Sequence, residues 1–104
     1  FAPAQPARVA TIAVGYADGL HRQSSKGGRA LLRGRSVPLA GTISMDQAAL
    51  DVTALPEVQT GDVVTLIGRD GDALSTADDL AKVAGTISYE VLCAISSRVL
   101  RRYV

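Results

Sequence analysis

The chain has 104 residues, of which 47% are apolar, and its formal net charge at pH 7 is +1. This length suffices for one compact domain with its own core, and the apolar share excludes a disordered chain. No apolar run approaches the roughly 20 residues of a membrane-spanning helix, and the near-zero net charge argues against nucleic acid as a partner.

The first seven residues contain two prolines, which favour an extended segment of the kind that links domains. The chain starts with Phe1, and its start lacks the basic region and apolar stretch of a signal peptide. We therefore expect residues 1–7 to be an interdomain linker and residues 8–104 to form one domain of a longer protein.

Residues 8–14 are rich in β-forming residues and predict a first strand, which runs into the sequence Gly-Tyr-Ala-Asp-Gly. A strand that ends in a glycine-flanked turn displays its last side chain away from the core, and here that side chain is Tyr16. The alternative is that Tyr16 is a half-buried aromatic residue that closes one end of the fold. The loop over residues 15–28 contains the single histidine, His21, and loops of this length are often functional.

Four further strands are predicted in the middle of the chain, at residues 30–32, 36–39, 48–52 and 62–67. A tight turn at Arg33-Gly34 joins the first two, and Pro38 indicates a sheet edge or a bulge. The strand at residues 62–67 is the clearest because it is rich in β-branched residues. Residues 69–72 are predicted to form a turn.

Two short helices follow the strands. A capping box at Ser75 and Asp78 predicts a helix over residues 76–83, which Gly85 ends. Ser88 is expected to cap a second helix that reaches about residue 95. The apolar side of this second helix carries Val91, Leu92 and Ile95.

The C-terminal region completes the predicted fold. Cys93 is the single cysteine, which excludes an internal disulfide, and its apolar helical surroundings predict a small buried side chain. Residues 99–104 predict a last strand. Short strands with glycine turns and two short helices together indicate a mainly β fold, a small antiparallel β-barrel with two short helices.

Few residues point to chemistry when they are taken singly. One cysteine and one histidine cannot form a zinc site, and residues 68–71 lack the Gly-Lys-Ser/Thr ending of a phosphate loop. A Ser-His-Asp triad with His21 and Asp18 stays open, although nothing places a serine on a nucleophile elbow. Taken singly, Met45 is expected in the core and Asp46 in a local turn bond, with Tyr89 packing at a helix start.

Several stretches nevertheless follow one another in a distinctive order. They are Gly15-Tyr16-Ala17-Asp18-Gly19, Gly41 with Ser44-Met45-Asp46-Gln47, Asp51-Val52-Thr53, Gly61-Asp62-Val63-Val64, Gly85-Thr86-Ile87-Ser88-Tyr89-Glu90, and Arg98-Val99 with Arg102-Tyr103. In this order they resemble the C-terminal domain of alanine racemase, over nearly the whole chain after residue 7. The resemblance implies a C-terminal β-barrel domain at residues 8–104, which residues 1–7 link to a missing N-terminal domain.

The resemblance also implies roles for individual residues. Tyr16 matches the tyrosine that acts as acid/base on one face of the substrate α-carbon in the partner subunit's site. Met45 matches the residue whose backbone N–H contacts the substrate there, and Asp46 lines the entrance beside it. Tyr89 matches the tyrosine that reaches the cofactor phosphate of its own subunit, and no metal ligand is implied.

Enzymes of this family are homodimers that use pyridoxal 5′-phosphate, which a lysine of the N-terminal α/β barrel holds. The resemblance therefore implies a cytoplasmic enzyme that interconverts L- and D-alanine and supplies D-alanine for peptidoglycan. Its implied partners are the N-terminal barrel domain, a second subunit and a small amino-acid substrate, with neither membrane nor nucleic acid. Because Lys26 and Lys82 do not match the cofactor lysine, we expect the chain to be inactive alone. We also expect it to expose Tyr16 and Met45, on a surface that would face the partner barrel.

One departure and two alternatives accompany this interpretation. Thr42 stands where many members of the family carry arginine, which affects the expected polar contacts near the site. The first alternative is a related racemase domain with serine as substrate or with broad specificity. The second is a non-catalytic β-barrel interaction module that has kept the fold.

Overall fold

The computed structural model describes residues 7–102 of the chain. Its strands are β1 (Val9–Ile12), β2 (Arg29–Leu32), β3 (Arg35–Pro38), β4 (Ala48–Asp51), β5 (Val64–Thr65), β6 (Gly68–Asp70) and β7 (Ala73–Ser75). Its helices are α1 (Ala77–Ala84) and α2 (Ser88–Cys93), and two 3₁₀ turns cover Tyr16–Asp18 and Arg22–Ser25. Six of the seven predicted linker residues, and the last two residues of the predicted final strand, lie outside the described residues.

The strands of the described region pair in three antiparallel sheets. β1 pairs with β4, β2 lies between β3 and β5, and β6 pairs with β7. A single bridge between Leu39 and Leu50 brings the end of β3 to β4, and β3 lies at a sheet edge, as Pro38 indicates. The predicted mainly β fold with two short helices is confirmed. The sheets do not close into a ring among residues 7–102, so the barrel stays a prediction.

The core has two parts on the β side of the domain. Leu32, Leu50 and Leu55 anchor the main part at no more than 2% exposure, and burying such a side chain stabilises the fold by about 1.5–3 kcal/mol. Burial alternates along β4, because successive side chains of a strand face opposite sides. The second part consists of Leu20, Ile43 and Ala48 and supports the loops beyond β1 and β3.

The β2–β3 hairpin turns at Arg33-Gly34, as predicted. Both residues are left-handed, with φ of 51° and 74°, which is the pattern of a type I′ hairpin turn. This conformation is unfavourable for arginine, but it accompanies an ion pair in which Arg33 Nε donates to Asp62 Oδ2 at 2.8 Å. The Gln59 N–H donates to the same oxygen at 3.1 Å. These bonds tie the hairpin to the turn that precedes β5.

Two predicted strands are longer than the observed ones, because each pairs with a strand that does not extend along its whole predicted length. β1 stops at Ile12, which pairs with the first residue of β4. The strand predicted at residues 62–67 reduces to Val64–Thr65. β2 ends at Leu32, which pairs with Val64, so residues 62–63 have no partner on that strand. Leu66 instead accepts a hydrogen bond from Ser75 Oγ at 2.7 Å. The predicted turn at residues 69–72 is wrong in extent: β6 and β7 form a hairpin around Gly71.

The capping box of α1 lies one residue later than predicted. Thr76 Oγ1 accepts the Asp79 N–H at 3.0 Å, and Asp79 Oδ2 accepts the Thr76 N–H at 2.9 Å. Hydrogen bonding of the Asp79 carboxyl to the Thr76 backbone, and then to the Thr76 side chain, lowers the pKa of that carboxyl. Ser75 is unavailable as the cap because its hydroxyl bonds to Leu66. Gly85 ends α1 in the left-handed conformation, as predicted.

α2 is shorter than predicted and buries one narrow side. The residue before Ser88 occupies the cap position, and no side chain caps the helix. Val91 packs against α1, whereas Leu92 is 50% exposed and Cys93 is also exposed. The predicted buried positions of Leu92 and Cys93 are therefore wrong, because a helix of six residues presents one turn to its neighbour. Neither helix of the described region is long and apolar enough to cross a membrane.

The predicted strand at residues 99–104 is absent from its described part, residues 99–102. Arg101 folds back on the chain, and its Nη1 donates to the carbonyl oxygens of Ser96 at 2.7 Å and Val99 at 2.9 Å. A backbone whose carbonyls are gathered around one guanidinium is compact and cannot form an extended ladder.

The Arg33–Asp62 ion pair predicts a pH-dependent contribution to stability. The hydrogen bond from Arg33, followed by that from the Gln59 N–H, lowers the pKa of Asp62 from its ordinary value of 3.8. A lowered folded-state pKa gives stability that is complete above the unfolded-state value and is lost as the pH falls through the folded-state value. We expect Asp62→Asn to lower the free energy of unfolding near neutral pH, and this difference to disappear in acid. Urea unfolding of the chain across pH measures it.

The control for this prediction is the Arg33→Gln background. There the pH-dependent part of the Asp62→Asn effect should shrink, because the partner that contributes most to it is absent. An equal effect in both backgrounds contradicts the assignment.

Candidate functional site

Tyr16 stands in a short turn beyond β1. The Tyr16 turn (residues 15–19) contains a 3₁₀ turn over Tyr16–Asp18 and ends at Gly19, which has a φ of 118°. Such a φ is readily adopted only by glycine. The next residue, Leu20, is 5% exposed and anchors the turn in the second part of the core. Tyr16 itself is 49% exposed, which confirms its predicted display at the strand end.

Met45 stands in a second tight turn, the Met45 loop (residues 44–47). The Ser44 N–H donates to the Gln47 carbonyl oxygen at 2.9 Å, and Ser44 Oγ donates to the same oxygen at 3.0 Å. Ile43, at 2% exposure, takes the core position just before the loop. Met45 is consequently 54% exposed, and Asp46 is also exposed. The interpretation of Met45 as a core residue is wrong.

The two turns are joined through their backbones. The Tyr16 N–H donates to the Ser44 carbonyl oxygen at 3.0 Å, and the Ala17 N–H donates to the Met45 carbonyl oxygen at 2.9 Å. A Cβ on Gly15 would lie 2.3 Å from the Ser44 oxygen. Because Gly15 has an ordinary extended φ of −146°, it is this close approach, and not backbone conformation, that requires glycine.

The opposite side of the Tyr16 turn contacts the C-terminal segment (residues 94–101). A Cβ on Gly19 would lie 2.9 Å from the Ala94 carbonyl oxygen, so a second glycine permits close backbone packing here. The Ser96 N–H donates to the Asp18 carbonyl oxygen at 3.3 Å. Arg98 Nε lies 3.4 Å from Asp18 Oδ1. The Tyr16 turn is therefore held from two sides.

Tyr89 lies on a different element from Tyr16 and Met45. It is the second residue of α2, and its side chain is 75% exposed. One residue further along α2, Glu90 Oε1 lies 3.6 Å from Nε2 of His21, the second residue after the Tyr16 turn. The structure thus joins Tyr16 and Met45 directly, and it connects Tyr89 to them only through neighbouring residues.

A shallow depression opens beside Tyr16. It has a volume of about 360 Å³ and is lined by Tyr16, Gly19, His21, Arg22, Gln23 and Ala94. Met45, Asp46 and Tyr89 do not line it. Among residues 7–102, no group of three His, Cys, Asp or Glu side chains is placed to hold a metal ion. The predicted site residues therefore do not enclose a common pocket.

Several large apolar and aromatic side chains are exposed on the two turns and on or next to α2. Exposed large side chains include Tyr16, Met45, Ile87, Tyr89 and Leu92, at 49%, 54%, 63%, 75% and 50%. Exposed apolar surface marks an interaction site where it is extensive. Together these features define a class of protein, a small mainly β domain that presents a tyrosine on a backbone-clamped turn.

The comparisons with known proteins identify the family. Residues 1–103 match the family described as "Alanine racemase, C-terminal domain". The chain is 49% identical to an alanine racemase of Halothermothrix orenii over 96 residues. These residues are 92% of this chain and 25% of that protein. The chain is 50% identical over 97 residues to an alanine racemase of Cutibacterium acnes, with 93% and 26% covered. The chain belongs to the alanine racemase C-terminal domain family, as its motifs indicated.

Solved structures agree with this assignment. The biosynthetic alanine racemase of Pseudomonas aeruginosa superposes with a TM-score of 0.87 at 43% identity, over 96% of this chain and 27% of that one. An alanine racemase of Bartonella henselae with covalently bound pyridoxal phosphate superposes with a TM-score of 0.90 at 35% identity, over 100% and 28%. The chain spans about a quarter of the length of these relatives.

Sequence reasoning missed the support of the Tyr16 turn. The Gly-Tyr-Ala-Asp-Gly sequence indicates that Asp18 is a turn residue, and Arg98 belongs only to the last of the family motifs. Asp18 stands three residues after Gly15, and this spacing is a signal for a side-chain bond to a turn backbone. No comparable local signal marks Arg98, because its partner is distant in the sequence.

Gly15→Ala tests the contact between the two turns. The added methyl group overlaps the Ser44 carbonyl, so one backbone must move, at an expected cost of about 1–3 kcal/mol in stability. We expect the amides of Tyr16 and Ala17 to lose hydrogen-exchange protection relative to the amides of the β2–β3 hairpin. Gly61→Ala is the control for backbone strain without a clash: its added Cβ meets nothing within 4 Å, although its φ of 100° is unfavourable for alanine, so it should lower stability and leave protection of the Tyr16 and Ala17 amides unchanged. Retained protection of both amides in Gly15→Ala contradicts the close contact.

Proposed function

We propose that this chain is the C-terminal domain of a pyridoxal-phosphate-dependent alanine racemase, which interconverts L- and D-alanine and supplies D-alanine for peptidoglycan. The observation that carries the proposal is the backbone-clamped, half-exposed Tyr16 beside Met45, in a chain that belongs to this family. The enzyme acts in the cytoplasm, as the resemblance implies. Residues 1–7 link the domain at residues 8–104 to an N-terminal domain that holds the cofactor.

Tyr16 is the acid/base on one face of the substrate α-carbon. Racemisation removes a proton from one face and returns a proton to the other, so it requires two opposed groups. The phenol oxygen of Tyr16 moves the proton on its face, and a lysine of the N-terminal domain serves the opposite face. A phenol ordinarily has a pKa of about 10, which is too high for a good base near neutral pH. A positive group or a hydrogen-bond donor must therefore face it. We assign that group to the N-terminal domain.

Met45 and Asp46 bind and admit the substrate. The Met45 backbone N–H contacts the substrate, and this role is supported by the absence of an acceptor for that N–H among the described residues. Asp46 is exposed beside it and lines the entrance. Because Ser44 and Met45 bond to the Tyr16 turn, the substrate contact and the acid/base share one backbone frame.

Tyr89 contacts the cofactor. Its phenol stands in the first turn of α2 and is 75% exposed, and a hydroxyl donor suits a phosphate oxygen. When bound, pyridoxal phosphate supplies an electron sink for the charge left by proton removal. Neither Lys26 nor Lys82 lines the depression beside Tyr16, so neither is assigned to the cofactor.

The apolar face around Tyr16 and Met45 meets the N-terminal barrel domain of a second subunit in a homodimer. Tyr16 and Met45 then serve the partner's site, while Tyr89 serves the site of its own subunit. The exposed apolar side chains support this arrangement, since such a face is unfavourable in water. We also propose that the sheets close into a barrel in the full-length protein. In support, β1 and β5 border one groove with their unpaired edges.

Tyr16→Phe in the full-length protein tests the acid/base assignment. The change removes the hydroxyl and keeps the ring, so turnover should fall about 10²–10⁴-fold, which is a barrier increase of roughly 3–5.5 kcal/mol. Because the opposite face keeps its lysine, the variant should still exchange the α-proton of one alanine enantiomer with deuterium from solvent. Mass spectrometry of both enantiomers in D₂O measures this asymmetry.

Tyr89→Phe is the matched control, because it removes the same hydroxyl from the other proposed site residue. It should weaken cofactor binding and leave exchange from the two enantiomers balanced. A Tyr16→Phe enzyme that racemises at the parent rate rejects the assignment, and so does equal loss of exchange from both enantiomers with cofactor bound.

The 104-residue chain alone should neither racemise alanine nor attach pyridoxal phosphate at a specific lysine. Lys26 and Lys82 are exposed, and exposed lysines react with the aldehyde weakly and without selection. After borohydride treatment, peptide mass spectrometry should find the same low labelling in the chain and in its Lys82→Arg variant. A saturable adduct at Lys26 or Lys82 contradicts the expectation, as does formation of D-alanine above the level with free cofactor.

A further inference from the structure

Asp18 is the most heavily used side chain of the Tyr16 turn. Its Oδ2 accepts the Gly15 N–H at 3.0 Å, and its Oδ1 lies 3.4 Å from Arg98 Nε. Its carbonyl oxygen accepts the Ser96 N–H at 3.3 Å. The side chain is 11% exposed, so these contacts are shielded from water more than an ordinary surface pair.

The C-terminal segment is itself braced at this point. The Arg101 guanidinium donates to the carbonyl oxygens of Ile95, Ser96 and Val99 at 3.1, 2.7 and 2.9 Å. Gly19 lies so close to Ala94 that a Cβ there would overlap its carbonyl. Arg98 therefore extends from a compact, internally bonded segment, and Asp18 has a fixed partner.

These contacts matter because Tyr16 cannot be positioned by its own packing. Its side chain is half exposed, and a 3₁₀ turn of three residues has few internal hydrogen bonds. Its orientation must come from bonds to neighbours. The Met45 loop supplies them on one side, and Asp18 with Arg98 supplies them on the other.

We propose that Asp18 and Arg98 are positioning residues for Tyr16, so that the C-terminal segment fixes the phenol for proton transfer. The inference rests on the proposed acid/base role of Tyr16 and adds two residues that do not touch the substrate. Asp18 holds the turn closed from inside through the Gly15 N–H, and Arg98 holds Asp18 from outside. A displacement of about 1 Å at a reacting group lowers turnover by up to about 100-fold.

Asp18→Asn and Arg98→Gln in the full-length enzyme test the inference. Turnover should fall about 10- to 100-fold, with little change in KM for alanine, because substrate binding uses other groups. Deuterium exchange should slow only for the enantiomer whose proton Tyr16 handles. Arg98→Lys keeps the positive charge and should recover part of the loss. In the Tyr16→Phe background Asp18→Asn should cost nothing further, because the residue through which it acts is already lost.

Asp62→Asn is the matched control, since it makes the same change in another aspartate–arginine pair, that of Asp62 with Arg33. It should leave deuterium exchange from both enantiomers at the rates of the parent enzyme. Slower exchange from both enantiomers in Asp18→Asn, or a loss that adds to that of Tyr16→Phe, overturns the inference and indicates a general structural role. Unchanged turnover in both Asp18→Asn and Arg98→Gln overturns it as well.

The proposed function and the positioning role fail in different ways. If Tyr16→Phe racemises at the parent rate, the acid/base assignment fails whatever Asp18 does. If Tyr16→Phe shows one-sided exchange and Asp18→Asn does not, only the positioning role fails. Circular dichroism and cofactor loading check folding. Should Asp18→Asn misfold, Arg98→Gln decides the question, because the Arg98 side chain is 52% exposed and its loss spares the core.

Discussion

The contact on which the rest of this domain depends is the one between two stretches of backbone, Gly15 to Ala17 and Ser44 to Met45. Two N–H donors of the first stretch meet two carbonyl oxygens of the second at about 3 Å, and the missing Cβ of Gly15 permits this approach. Backbone bonds of this kind fix position without using side chains. Tyr16 and Met45 are therefore free to face outward while their main chains are locked together.

The core explains why these two turns meet. Leu20 follows the Tyr16 turn and Ile43 precedes the Met45 loop, and the two side chains pack together with Ala48 of β4. Hydrophobic burial thus draws together two loops that leave the sheets at β1 and β3, and the hydrogen bonds then set their register. The exposed apolar side chains above this cluster have no cover of their own within the described residues. Exposed apolar side chains of this kind are typical of an interaction surface.

Predictions from sequence succeeded where the signal was local. The Arg33-Gly34 turn and the Gly85 helix end depend on conformations that few residues adopt, so the residues themselves indicate them. The strand at residues 62–67 is shorter than predicted because β2 ends opposite Val64, and because the Leu66 carbonyl oxygen bonds to Ser75. The capping box was misplaced by one residue because Ser75 is occupied by Leu66, a contact that only the tertiary structure creates. The exposure of Cys93 likewise follows from how little of α2 faces α1.

The residues of the candidate site also separate into those that a local motif marks and those that only tertiary contacts bring together. Tyr16, Met45, Asp46 and Tyr89 stand in distinctive short motifs, so the resemblance identified them, and the structure shows each of them exposed. Asp18 and Arg98 meet across most of the chain length, and no local pattern pairs them. His21 and Glu90 are a similar case, and they connect the end of the Tyr16 turn to the helix that carries Tyr89. In the proposed dimer, Tyr16 and Tyr89 serve different active sites. These long-range contacts link the two residues within one domain. Because the C-terminal segment contacts the Tyr16 turn through Ser96 and Arg98, its influence is expected in proton exchange at Tyr16.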